Sequence, residues 1–136
     1  MPFTKGLKRH QDWDWLLRAQ ALGDATLECV FQPLTTWYIE EPRASISGLN
    51  NWLDSFIWIH RVQPFISRRA YASFLLVFVS AIAARESSYE AFWPIMKAAL
   101  SFGKPKAMDL ALFAAMWGIP QPVRRKIRNS LWSALA

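Results

Sequence analysis

Apolar residues along this chain recur at helical spacing and are cut into short runs by glycine and proline. Trp15, Leu16, Ala19 and Leu22 fall on one face, which predicts a helix from Asp12 to Leu22. Gly23 ends it in a left-handed cap, a conformation glycine adopts without steric cost. Asp24 can cap a second short helix through about Phe31, which Pro33 stops. Residues 33–46 carry no clear period; Thr35–Ile39 reads as a short extended piece and Glu40-Glu41-Pro42 as a loop. Ser45 or Ser47 can then cap a helix to about Val62, with Leu49, Trp52, Leu53, Phe56, Ile57 and Ile59 or His60 as its apolar face. Gln63-Pro64 closes it.

The second half is punctuated more sharply. Ser67 opens a long apolar helix that runs to about Arg85. Ser87-Ser88-Tyr89-Glu90 matches a capping box, in which the Ser87 hydroxyl and the Glu90 carboxylate each accept from the other's backbone N–H. Pro94 should either kink the following helix or push its start to about Trp93, and Phe92, Ile95, Met96, Ala99 and Leu100 form its buried face. Gly103 caps its end, and Pro105 opens a helix to about 117. Gly118-Ile119-Pro120-Gln121-Pro122 is a tight turn before a terminal helix over about 122–135. β-branched residues are scattered, and no Asn-Gly or Asp-Gly turn joins two alternating runs. The fold class expected is all-α: a compact bundle of about six short helices in a single domain over residues 1–136, with residues 1–11 as a basic N-terminal arm.

Composition supports a folded core: 53% of the 136 residues are hydrophobic, and eight are tryptophan. Indole N–H groups need partners, so part of this tryptophan is expected at an interface. The lone cysteine, Cys29, reads as a small buried hydrophobe. The uncharged run Ala70–Ala84 covers about 22 Å as a helix, short of a hydrocarbon core of roughly 30 Å. Arg68, Arg69 and Arg85 bracket it, so a central core helix is expected there. The basic N-terminus is followed by no apolar run, which fits a cytoplasmic protein better than a secreted one.

Charge changes the picture most. Residues 1–66 hold six Lys/Arg against seven Asp/Glu, whereas residues 67–136 hold ten against three. The second half is therefore expected to face something negative. The terminal helix places Val123, Ile127, Ser130, Leu131 and Ala134 in one stripe. Arg125, Arg128 and Trp132 lie opposite, and Arg124 and Lys126 flank the stripe. An aromatic ring among guanidinium groups suits stacking on bases, a headgroup zone or a partner pocket. Phe113, Ala114, Trp117, Gly118, Ile119 and Ile127 match the spacing of a helix-turn-helix, which this pair of helices resembles. That resemblance implies Ala114 at a close helix approach, Gly118 in a left-handed turn and Ile119 in the core between the helices. Val123 arrives one position early for the pattern.

Catalytic chemistry finds no foothold in the sequence. His10 and His60 lie in no metal-ligand spacing, and Asp12 and Asp14 are explained by a helix start. No phosphate loop, dinucleotide fingerprint or nucleophile elbow is present. The expectation is a non-enzymatic subunit with no metal or cofactor, working beside other protein subunits. It would bind nucleic acid mainly through phosphates, using Arg124, Arg125, Lys126, Arg128 and Trp132 with Lys104, Lys106, Arg68 and Arg69. Two other readings fit the same residues: a membrane-associated protein inserting 70–84, and a scaffold using a Trp-rich face.

Overall fold

The computed structural model describes residues 1–23, 26, 28, 30–32, 51–120, 122–124, 126, 127 and 130. Among them are six α-helices and no strand. They are α1 (Gln11–Ala21), α2 (Trp52–Arg61), α3 (Arg68–Ser73), α4 (Ser80–Arg85), α5 (Phe92–Phe102) and α6 (Ala107–Gly118). The chain divides into two units, Met1–Leu49 and Asn50–Ala136.

In the first unit the N-terminal residues lie along α1. The Asp14 carboxylate is buried and accepts from Thr4 Oγ1 at 2.6 Å and Arg18 Nε at 2.9 Å. Trp15 Nε1 donates to Met1 O at 2.8 Å, and Arg18 Nη2 to Pro2 O at 3.1 Å. The segment expected to be a basic arm is thus tied to the helix it precedes. Gly23 takes the left-handed conformation, with φ 78°, and closes α1 through its N–H to Gln20 O at 3.1 Å. Leu22, expected on the buried face, is exposed. The second helix expected over Asp24–Phe31 is corrected: Thr26, Glu28, Val30 and Phe31 are not helical. So short a helix closes few turns and needs packing to persist, yet Phe31 is 95% exposed. The readings placed on residues 33–46 and on Cys29 lie outside the described residues.

His10 precedes α1 in a left-handed conformation, with φ 61°. Burial, and then the neighbouring Arg9 charge, lower its pKa from 6.5 to about 4. Between those values the unfolded chain holds a proton that the folded chain does not. The first unit is therefore expected to lose stability as pH falls from 6.5 towards 4 and to gain nothing from His10 above 6.5. An NMR titration of the His10 ring checks this. His10→Asn, which tolerates the left-handed backbone, should abolish the pH slope. A ring that titrates near 6.5 would contradict the assignment.

The second unit is organised around one helix. Ser67 caps α3, its Oγ accepting from Ala70 N at 3.1 Å. From there α3, a π-helical stretch (Phe74–Val79) and α4 run on without interruption. Tyr71, Ala72, Leu75, Leu76, Val79, Ser80, Ile82 and Ala83 along it are buried. α2, α5 and α6 all pack against the π-helical stretch. The uncharged run 70–84 is therefore the core of this unit, and no helix among the described residues is long and apolar enough to cross a membrane.

Three local expectations are corrected in this unit. α2 starts at an Asn51 cap, whose Oδ1 accepts from Leu53 N at 2.9 Å; Ser45 and Ser47 lie outside the described residues. It buries Ser55, Trp58, Ile59 and the following Val62 and leaves Leu53 and Ile57 exposed. Spacings of three, four and seven still hold, but the stripe is rotated. Second, Ser87 forms no capping box. It sits at φ 58° as the left-handed residue after α4, and Ser88 N reaches back to Ala83 O at 3.0 Å. This is a helix-ending Schellman arrangement. A 3₁₀ turn (Tyr89–Ala91) then leads into α5, where Pro94 falls in the first turn and removes no helical bond. Leu100, expected on the buried face of α5, is exposed. Third, Pro105 precedes α6 and is not part of it. The start of α6 is fixed by Asp109, whose buried carboxylate accepts from Lys106 N at 2.9 Å and from Ser73 Oγ of α3 at 2.9 Å.

Candidate functional site

The cations singled out in the sequence divide by position. Arg68 and Lys104 are brought together by the backbone: Lys104 N donates to Arg68 O at 3.1 Å, and Arg68 Nε donates to Phe102 O at 3.0 Å. Only one of the five guanidinium N–H donors of Arg68 is taken by that bond. Arg69 follows on the same helical turn, and Lys106 is held two residues beyond Lys104 by the Asp109 bridge to Ser73. All four side chains are exposed, and none has an ion-pair partner among the described residues. The turn between α5 and α6 thus lies along α3 from Arg68 to Ser73 and brings Lys104 and Lys106 to the helix that opens on Arg68 and Arg69.

Gly103 makes this approach possible. It ends α5 as expected, but in extended backbone, with φ −95° and ψ −178°, and not in a left-handed cap. Its role is closeness: a Cβ there would stand 2.6 Å from Ala72 Cβ.

Two exposed rings neighbour these cations along the chain. Phe102 is the last residue of α5 and is 53% exposed; Phe65 ends the 3₁₀ turn (Gln63–Phe65) just before Ser67 and is 47% exposed. Neither was singled out from the sequence. The available signal was their position, each an aromatic residue beside a helix-breaking turn.

The terminal cations start elsewhere. α6 is 12 residues long, about 18 Å, and Arg124 and Lys126 follow its far end. Val123 N and Arg124 N both donate to Pro120 O, at 3.0 and 3.1 Å, so the helical residues resume directly after the turn. Lys126 is exposed. Arg124 is half-buried, and its Nε is covered without a hydrogen-bond partner among the described residues. Arg125, Arg128 and Trp132 lie outside the described residues. Of the apolar stripe, Val123 and Ile127 are about half exposed, at 45% and 48%, and Ser130 is exposed; Leu131 and Ala134 lie outside the described residues.

The helix-turn-helix features fare unevenly. Phe113 is buried and Ile119 half-buried, but Ala114 is exposed and so lies at no close approach. Gly118 is the last residue of α6 and does not take positive φ. The chain turns instead through extended Ile119 and Pro120.

Elsewhere His60 of α2 and Tyr71 of α3 pair across the unit. His60 Nδ1 lies 2.7 Å from Phe56 O, which can only accept, so Nδ1 carries the proton. Nε2 is then free to accept from the Tyr71 hydroxyl at 3.0 Å. Burial raises the Tyr71 pKa, which keeps that hydroxyl a donor. Among the described residues no group of three His, Cys, Asp or Glu side chains could hold a metal ion. Comparison with protein-family models, curated proteins and solved structures finds no match.

Proposed function

We propose that this chain is a non-enzymatic binding subunit that docks on nucleic acid through phosphate contacts. The carrying observation is that hydrogen bonds between residues more than 30 positions apart hold the turn bearing Lys104 and Lys106 against α3, the helix that opens on Arg68 and Arg69. Clustering unpaired cations raises the local potential and costs stability through repulsion, so it makes physical sense where a polyanion neutralises it. Cytoplasmic location and work beside other subunits belong to the same proposal.

Phosphate contacts release counterions, so affinity must fall with salt. The double variant Arg69→Glu/Lys104→Glu is expected to bind oligonucleotides at least about tenfold more weakly and to flatten the salt slope by about two. Fluorescence anisotropy across a salt series reads both. Absence of binding at low salt, or affinity indifferent to salt, overturns the proposal.

A second reading, protein docking, is favoured by α6. Its only charged residue, Asp109, is buried, yet Met108 and Leu112 are exposed. A helix apolar all round is usually covered on all sides. Trp93 of α5 is exposed as well.

A further inference from the structure

We infer that the cation cluster at the α5–α6 turn takes single-stranded nucleic acid, whose bases stack on Phe65 and Phe102 while its phosphates lie on Arg68, Arg69, Lys104 and Lys106. The inference rests on the nucleic-acid reading above and narrows it to one kind of strand.

The geometry combines the two parts such a surface needs, a positive track and aromatic faces. Phe102 is joined to Arg68 directly, its carbonyl accepting from Arg68 Nε at 3.0 Å. Phe65 stands three residues before Arg68, and three residues of extended chain reach at most about 10 Å, the rise of about three stacked nucleotides. Ile66 and Ser67 between them are extended, which carries Phe65 outward from the helix start. Neither ring has an aromatic partner among the described residues, unlike Phe74 with Phe78 or Phe92 with Phe113. Exposing about half of each phenylalanine to water costs stability, which a stacking partner would recover.

The arrangement favours bases over lipid. A bilayer anchor needs apolar side chains that protrude and immerse. These rings are only about half exposed, at 47% and 53%, and so protrude less than an immersing anchor would. It favours single strands over duplex because paired bases hide their faces inside the stack, where a ring at the surface cannot reach them.

The test uses the full chain and three probes: labelled oligothymidylate, the same strand in duplex with oligoadenylate, and vesicles of phosphatidylserine and phosphatidylcholine. The single strand should bind more tightly than the duplex. Phe65→Ala and Phe102→Ala should each weaken single-strand binding about tenfold and leave duplex binding unchanged. Phe65→Tyr and Phe102→Tyr, which keep a ring, should retain it. The thermal midpoint of each variant reports folding separately. Equal affinity for strand and duplex, untouched by loss of either ring, overturns the inference and leaves phosphate binding standing. Salt-independent or absent binding to both overturns the inference and the function together. Ring-dependent binding to the vesicles that exceeds binding to the oligonucleotide overturns both in favour of a membrane surface.

Discussion

Gly103→Ala is expected to destabilise the unit spanning Asn50–Ala136 by about 2–3 kcal/mol, lowering its thermal midpoint by on the order of 10 °C. The added methyl would collide with Ala99 O and stand 2.6 Å from Ala72 Cβ and 3.2 Å from Ala72 Cα. These are backbone atoms and a Cβ on two packed helices, and none can rotate aside. The extended backbone at Gly103 is open to any residue, so conformational strain contributes nothing and the whole cost is one of contact. Relief would require the α5–α6 turn to lift off α3. That movement would strain the bonds from Lys104 N to Arg68 O and from Arg68 Nε to Phe102 O, so oligonucleotide affinity should fall with stability. Gly118→Ala is the control. Its Cβ meets nothing within 4 Å, and the residue is helical, so stability should hold or rise by up to about 1 kcal/mol. Differential scanning calorimetry separates the two. Equal losses at both glycines would show that Gly103 is not a contact point.

What the sequence made legible was punctuation. Ser67, Arg85, Gly23, Pro94 and Gly103 mark helix ends because capping and proline geometry act over a few residues. Faces were harder. Leu53 and Ile57 are as apolar as Trp58 and Ile59, so periodicity alone could not say which pair α2 turns inward; packing on the central helix decides it. Ser87 misled for a related reason. A serine between two helices can end one or start the next, and the choice lies in backbone angles that composition does not reveal. Gly118 suggested a left-handed turn that extended Ile119 makes unnecessary. The cations of the candidate site were each visible, since charge is readable residue by residue. Their grouping was not, because it depends on Phe102, Lys104 and Asp109 reaching back to α3 across distances no local pattern spans. Phe65 and Phe102 were invisible as surface rings for the same reason: an aromatic residue reads as core until the fold shows what covers it.

Phe113→Ala should cost the same unit more than Gly103→Ala does, about 3–5 kcal/mol. Phe113 is 1% exposed, and its ring lies 4.9 Å from Phe92 and 6.1 Å from Trp117 between centroids. Trp117 in turn meets Phe92 edge-on at 5.5 Å and donates from Nε1 to Ser80 Oγ at 2.7 Å. α6 therefore hangs on the central helix at two polar points, Asp109 to Ser73 and Trp117 to Ser80, with Phe113 filling the space between. Emptying that space removes the apolar transfer and leaves a cavity beside two part-buried hydrogen bonds, whose geometry depends on α6 staying in register. Phe113→Leu, which keeps most of the volume, should cost much less. Urea denaturation reads the loss as a lower midpoint at unchanged slope. The neighbouring Leu112→Ala calibrates the orientation, because Leu112 faces outward and its truncation should cost no more than about 1 kcal/mol. A larger loss at Leu112 than at Phe113 would mean that α6 presents a different face to the core. The apolar surface of Met108 and Leu112 would then be interior, and the docking reading built on it would fall.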